Sequence, residues 1–97
     1  MCGIAGIVRR DALLADDLEV VRAMSAALRH RGRDGEGALA LGRAALGHRR
    51  LAVIDPSDRA AQPMRPLPET EGDPAPEVAI TYNGEVYNFA DLRSELE

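Results

Sequence analysis

Hydrophobic and polar residues follow one another along this chain in patterns that predict a mixed α and β domain. Residues 3–8 form a short apolar run with β-branched side chains, which is typical of a strand buried on both faces. From Asp16 the apolar positions recur at helical spacing, through Val21 to Leu28. The basic residues that follow favour a helix end at Gly32, with this glycine in a left-handed cap. The first third of the chain therefore predicts a strand followed by an amphipathic helix.

Three further apolar pieces predict antiparallel strands: residues 38–41, 44–47 and 51–54. A glycine turn separates the first two pieces, and the basic stretch His48–Arg50 separates the last two. These strands are each short, so we expect a sheet made of several of them.

The last part of the chain combines an irregular connection with a return to regular structure. Five prolines between residues 63 and 76 predict a long loop, and Val78–Tyr82 is the clearest strand in the sequence. Asn83–Gly84 then predicts a tight turn, and Asn88 is a candidate cap for a helix. Because the sequence ends inside this helix with neither cap nor breaker, we expect residues 1–97 to be one partial domain, truncated at its carboxyl end.

Length, charge and cysteine content exclude several classes of protein. Ninety-seven residues suit a single domain, and the net charge of −4 argues against a general nucleic-acid binder. No apolar run approaches the ~18 residues that a membrane span needs. The single cysteine excludes an internal disulfide and a zinc site built from several cysteines, so we expect a cytoplasmic protein without a resident metal.

Cys2 is the candidate nucleophile, because removal of Met1 would leave its α-amine free. A free α-amine and a thiol titrate within about one pH unit of each other, so the amine can accept the thiol proton at little cost. Two alternatives remain open at this point. Cys2 can be an ordinary small hydrophobic residue at a frayed terminus, or a redox or ligand thiol.

Asn83 and Gly84 are candidates for an oxyanion hole, since an amide N–H and a glycine N–H can point at the same oxygen. The alternative is a simple hairpin turn. Arg50 can bind a carboxylate and Glu85 an ammonium group, which together describe an amino-acid pocket. For the other basic residues we favour a solvated surface cluster, and for the histidines structural hydrogen bonds: Arg29, Arg31, Arg33 and Arg49, with His30 and His48.

Read together, the motifs occur in the order and spacing of one family. They are Met-Cys-Gly-Ile-Ala-Gly at the start, His30–Gly37, Leu46–Asp55, Gln62–Met64 and Tyr82–Asn88. The chain resembles the amino-terminal glutaminase domain of glutamine-hydrolysing asparagine synthetase, a class II glutamine amidotransferase. Arg33 departs from the resemblance, because the family usually has proline there.

The resemblance implies an α+β fold, the αββα sandwich of amino-terminal-nucleophile (Ntn) hydrolases, with antiparallel sheets of which only the amino-terminal part is present. It implies that Cys2 attacks the side-chain amide of L-glutamine, releasing ammonia and then glutamate. The implied site consists of Cys2, Asn83 and Gly84 for catalysis, and of Arg50, Leu51, Ala52, Val53, Ile54, Asn83, Gly84 and Glu85 for binding glutamine.

The same resemblance implies the partners of this segment. Ammonia would pass to a synthetase domain that lies outside residues 1–97, and ATP and Mg²⁺ would bind only there, leaving this segment without a cofactor. A homodimer is the assembly implied for the full-length family. Two alternatives stay open: an inactive remnant or accessory binding module of the family, and an amidotransferase with a different ammonia acceptor.

Overall fold

A computed structural model describes residues 2–52, 57–74 and 76–97. The regular elements are, in chain order, strand β1 (Gly3–Val8), helix α1 (Asp17–Ala27), strand β2 (Gly35–Leu41), strand β3 (Ala44–Arg50), a 3-10 turn (Asp58–Ala60) and helix α2 (Phe89–Leu96). An antiparallel sheet with two helices confirms the α+β class. The sandwich with a second sheet stays a prediction.

The sheet has the order β1–β3–β2, so β3 is its central strand. Both neighbours run antiparallel to β3: Gly3 pairs with Arg49 at one end of β1, and Gly35 pairs with Arg50 at the start of β2. A two-residue turn at positions 42 and 43 joins β2 to β3 as a hairpin. The amino end of β1 and the carboxyl end of β3 therefore meet at one edge of the sheet.

Helix α1 covers one face of this sheet and forms the small core with it. Val21 and Ala45 are fully buried, and Val21 and Ser25 lie where a side chain at Gly47 would point. Since side chains alternate along a strand, Ala45, Gly47 and Arg49 share the helix-covered face. The absence of a side chain at Gly47 lets α1 approach the sheet closely.

The opposite face of the sheet carries Leu46, His48 and Arg50 and is only partly covered. His48 is buried under the segment that contains Thr81. On β1, the side chains of Ile4 and Val8 point to this same face and are 49 % and 73 % exposed. The prediction that residues 3–8 form a strand buried on both faces is therefore wrong, because the open face leaves Ile4 and Val8 exposed.

Several local predictions are confirmed and several are wrong. Strand β1 and helix α2 begin where the sequence predicted them. The basic stretch His48–Arg50 does not separate two strands but forms the end of β3. Leu51 and Ala52 have no regular structure, and Val53 and Ile54 lie outside the described residues.

The strand predicted at Val78–Tyr82 is reduced to a single antiparallel pair between Ile80 and Met64. Gly32 does not adopt the predicted left-handed cap. Glycine is instead required here by close packing, because a Cβ at Gly32 would lie 2.5 Å from the carbonyl carbon of Arg49. Asn88 precedes α2, but its side chain makes no capping hydrogen bond.

An ion pair ties the end of β1 to the start of α1. The Arg9 guanidinium donates to both carboxylate oxygens of Asp17, at 2.6 and 2.8 Å, and the Leu14 N–H donates to the same carboxylate at 2.6 Å. The hydrogen bond from Arg9 lowers the pKa of Asp17 to about 2, against the effect of burial, which raises it. Asp17 is buried at 2 % exposure, so its charge is retained by these donors.

We expect the Asp17 carboxylate to stabilise the folded protein above pH 4, and this contribution to be lost as the pH falls towards 2. The reason is that the unfolded chain binds the proton near pH 3.8, whereas the folded chain binds it only near 2. Thermal unfolding of the wild type and Asp17→Asn should differ most at pH 7 and less at pH 2.5. Asp11→Asn, at an exposed position, is the control for the change in net charge. An equal difference at both pH values would contradict the assignment.

Gly32→Ala should lower the free energy of unfolding by about 1–3 kcal/mol, because the added methyl group meets backbone atoms that cannot rotate away. Gly35→Ala is the matched control, since a Cβ there comes no closer than 3.9 Å to Arg50. Urea unfolding of both variants measures the effect. Similar losses in the two variants would show that the close approach to Arg49 is not the cause.

Candidate active site at the end of the central strand

Cys2 lies immediately before β1, beside the residue that follows β3. The Leu51 N–H donates to Cys2 Sγ at 3.3 Å, and Sγ lies 3.8 Å from the Leu51 carbonyl oxygen. The Arg31 Nε–H donates to the Cys2 carbonyl oxygen at 3.1 Å. A backbone N–H that points at sulfur stabilises negative charge on it. The sulfur is therefore held at a fixed place with a donor beside it.

Asp34 fixes the backbone on both sides of Leu51. Its own N–H donates to the Arg50 carbonyl at 2.9 Å, and its carboxylate accepts a hydrogen bond from the Ala52 N–H at 2.7 Å. Sequence reasoning named the motif around Asp34 but assigned this residue no role. Residue spacing gave no signal for this role, because Ala52, whose N–H the carboxylate binds, lies 18 residues further along the chain.

Arg50 is the last residue of β3 and shares the open face of the sheet with His48. Its Nη1–H donates to the Ser57 carbonyl at 2.7 Å, and its side chain is half-buried. The structure thus brings Arg50, Leu51 and Cys2 together at one edge of the sheet. Ala52 follows directly and is half-buried.

Asn83, Gly84 and Glu85 belong to a compact bend that leads into α2. The Tyr82 hydroxyl donates to the Glu85 carbonyl at 3.5 Å and lies 2.7 Å from the position that a Cβ on Gly84 would occupy. Within the described residues no strand follows Gly84, so the simple hairpin is excluded. Asn83 and Gly84 make no hydrogen bond to Cys2 in this part of the chain.

Thr81 connects this bend to the central strand. Its Oγ1 lies 3.0 Å from His48 Nδ1 and 3.3 Å from the Gly47 carbonyl oxygen. The Tyr82 N–H, next in the chain, donates to Gln62 Oε1 at 2.5 Å. Structural hydrogen bonding by His48, as predicted from the sequence, is confirmed.

The basic residues divide into a surface group and a structural one. Arg29 and Arg33 are exposed, as the prediction of a surface cluster requires, and together with the exposed His30 they line a hollow of about 410 Å³. Structural hydrogen bonding by His30 stays a prediction. For Arg49 that prediction is wrong. Its side chain lies on the helix-covered face at 7 % exposure, where Nε–H donates to the Gly32 carbonyl at 2.9 Å and Nη1 pairs with Glu36 at 2.7 Å.

Comparison with known proteins identifies the family of this chain. A family model described as a glutamine amidotransferase domain matches residues 1–97. The chain belongs to the glutamine amidotransferase domain family. The match covers the whole sequence, including the segments that carry Cys2, Arg50 and Asn83.

Curated relatives of this amidotransferase domain are named as asparagine synthetases. The chain is 35 % identical over 99 residues to asparagine synthetase [glutamine-hydrolyzing] 1 of Bacillus subtilis, covering 100 % of the chain and 14 % of that protein. It is 36 % identical to the putative asparagine synthetase [glutamine-hydrolyzing] 2 of Methanocaldococcus jannaschii, covering 98 % of the chain and 20 % of that protein. The chain therefore spans between a seventh and a fifth of the length of these relatives. No solved structure gives a significant match.

Two further findings on the described part of the amidotransferase domain concern metal binding and membrane-spanning helices. Residues 2–52, 57–74 and 76–97 contain no group of three or more His, Cys, Asp and Glu side chains that could hold a metal ion. In the same ranges neither helix is long and apolar enough to cross a membrane.

Asp34→Ala should slow alkylation of the Cys2 thiol by iodoacetamide at neutral pH, by up to about 5-fold. The reason is that one hydrogen bond contributes about 1 kcal/mol, and loss of the Ala52 contact lets the Leu51 N–H move away from Sγ. Asp34→Asn keeps an acceptor oxygen and removes the charge, so it should react at nearly the wild-type rate. If Asn and Ala slow the reaction equally, the charge of Asp34 matters and its hydrogen bond does not.

Proposed function

We propose that this chain hydrolyses the side-chain amide of L-glutamine to glutamate and ammonia, with Cys2 as the nucleophile. The observation that carries the proposal is the hydrogen bond from the Leu51 N–H to Cys2 Sγ, in a chain of the glutamine amidotransferase family. This bond places the thiol beside the residues expected to bind glutamine. A residue at a frayed terminus would not make these hydrogen bonds with Leu51 and Arg31.

The chemistry follows from the free amine that Cys2 gains when Met1 is removed. The α-amine takes the thiol proton, and the sulfur forms a bond to the amide carbon of glutamine while the carbonyl π electrons move to oxygen. The Asn83 side-chain N–H and the Gly84 N–H stabilise the negative oxygen. The carbon–nitrogen bond then breaks, and the amine's proton leaves with the nitrogen as ammonia. Water attacks the resulting thioester, giving glutamate and the free thiol.

Binding of glutamine requires charges that match its amino-acid end. Arg50 binds the α-carboxylate, and its place at the end of β3, next to Leu51, supports this role. Glu85 lies on the bend after Asn83 and contributes to the ammonium side. Backbone groups of Leu51, Ala52, Val53 and Ile54 line the pocket, of which the last two lie outside the described residues.

The open face of the sheet supports the sandwich expected for this family. Ile4 and Val8 present apolar side chains there, on the same face as His48 and Arg50. A second antiparallel sheet stacked on this face would bury them and enclose the site between two sheets. We therefore regard residues 1–97 as part of an αββα Ntn-hydrolase domain of the glutamine amidotransferase type.

The names of the relatives suggest the fate of the ammonia. We propose that it is delivered to a synthetase domain for ATP-dependent amidation of aspartate, and that ATP and Mg²⁺ bind in that domain rather than within residues 1–97. A homodimer is the assembly proposed for the complete protein, and the cytoplasm is its proposed location.

Treatment of the full-length protein with a diazoketone analogue of glutamine should modify Cys2 and abolish glutaminase activity. Mass spectrometry of the amino-terminal peptide should show the adduct on a chain that lacks Met1. Cys2→Ala should form no adduct and release no ammonia, because both steps require the sulfur.

A variant with lysine inserted between Met1 and Cys2 is the matched control. It keeps the thiol but blocks the α-amine in a peptide bond, so glutaminase activity should be lost while iodoacetamide still reacts. Wild-type protein that forms no adduct and releases no ammonia would refute the proposed function, and the inactive binding module would then be favoured.

A further inference from the structure

His48 has a buried side chain that the proposed reaction does not use directly. It lies on the open face of the sheet at 1 % exposure, and its Nδ1 is 3.0 Å from Thr81 Oγ1. Its other ring nitrogen, Nε2, is buried and has no hydrogen-bond partner among the described residues. Within the described residues, the contact with Thr81 is therefore the one hydrogen bond of the His48 ring.

The Thr81 hydroxyl lies within hydrogen-bond distance of two groups on β3, His48 Nδ1 at 3.0 Å and the Gly47 carbonyl oxygen at 3.3 Å. The carbonyl oxygen can only accept a hydrogen bond, so the hydroxyl satisfies both neighbours when it donates to Gly47 and accepts from His48 Nδ1–H. Burial, and secondly the charge of Arg50, lower the pKa of His48, which favours the neutral ring. His48, Thr81 and Gly47 thus form one chain of hydrogen bonds.

This chain of hydrogen bonds joins two parts of the candidate site. Within the described residues, the hydrogen bonds from the segment 80–85 to the three-stranded sheet are those of Thr81. The other bonds of this segment go to Met64 and Gln62, which lie in the irregular connection. Thr81 therefore links this segment to the sheet by hydrogen bonds, and Asn83 follows two residues later.

We propose that His48 is a positioning residue for the oxyanion hole, which holds Thr81 and thereby fixes Asn83 and Gly84 relative to Cys2. The proposal rests on the proposed glutaminase function. An oxyanion donor that moves by about 1 Å loses much of its effect on the transition state while substrate binding changes little. His48 therefore affects turnover without touching glutamine.

Two substitutions at His48 separate the roles of its ring nitrogens. Asparagine places an N–H near the position of Nδ1, whereas glutamine places one near Nε2. In the full-length protein we expect His48→Gln to lower kcat for glutamine hydrolysis about 10- to 100-fold with KM within about 2-fold of wild type. His48→Asn should stay within about 3-fold in kcat.

Thr81→Val keeps the shape of the side chain and removes the hydroxyl, so it should lower kcat as His48→Gln does. The double variant should be no worse than either single variant, because both break the same chain of bonds. If the histidine variants fail to fold, Thr81→Val tests the proposal by itself.

A readout on the oxyanion itself distinguishes positioning from general damage. The γ-aldehyde analogue of glutamine forms an adduct with Cys2 that carries the oxyanion, so its affinity should fall in parallel with kcat. The rate of Cys2 alkylation by iodoacetamide should remain at the wild-type value, since Leu51 and Asp34 are unchanged.

Equal loss of activity in His48→Asn and His48→Gln, or wild-type kcat in Thr81→Val, would overturn the positioning role and leave His48 as a packing residue. Wild-type protein without ammonia release and without a Cys2 adduct would overturn the glutaminase itself, and this proposal with it. The wild-type control therefore shows which of the two has failed.

Discussion

The register between β1 and β3 is the constraint on which the candidate site depends. Pairing of Gly3 with Arg49 leaves Cys2 opposite the end of the central strand, where its sulfur meets the backbone of Leu51. A slip by one residue would turn every side chain of β1 to the other face of the sheet. Cys2 would then lie on the face that α1 covers, away from Arg50.

Small residues and bound charges maintain this register from the helix-covered face. Gly47 admits α1 close to the sheet, and Gly32 admits the chain after α1 close to Arg49. The Arg49 guanidinium is then bound by the Gly32 carbonyl and by Glu36 on β2. One buried cation thereby connects β3, β2 and the turn that precedes β2.

Local sequence predicted the elements whose formation depends on their own residues. Strand β1 and the starts of helices α1 and α2 follow from the hydrophobic period of the sequence, whereas α1 ends at Ala27 and not at the predicted cap Gly32. The end of β3 was missed, because His48 and Arg49 are polar and argued against a strand. Their burial depends on partners that are distant in sequence, Thr81 and Glu36, which a pattern of neighbouring residues does not contain.

In the candidate site too, sequence motifs identified some of the residues, whereas the roles of others depend on tertiary packing. The motifs named Cys2, Arg50 and Asn83, but gave no role to Asp34, whose carboxylate binds a backbone N–H and leaves no mark in residue spacing. The segment Val78–Tyr82 has the composition of a strand, yet a strand requires a neighbour along its length. In the described chain it pairs only at Ile80 and Met64.

The hydrogen bond from Arg31 to the Cys2 carbonyl has a consequence for the chain terminus. It immobilises the peptide group after Cys2, and the next residue already belongs to the sheet. Once residue 1 is gone, the amino group and the thiol can rotate only about two single bonds that share one carbon atom. In the proposed reaction the proton travels between two groups of a single residue, whose backbone is held by the Arg31 hydrogen bond and by the start of β1.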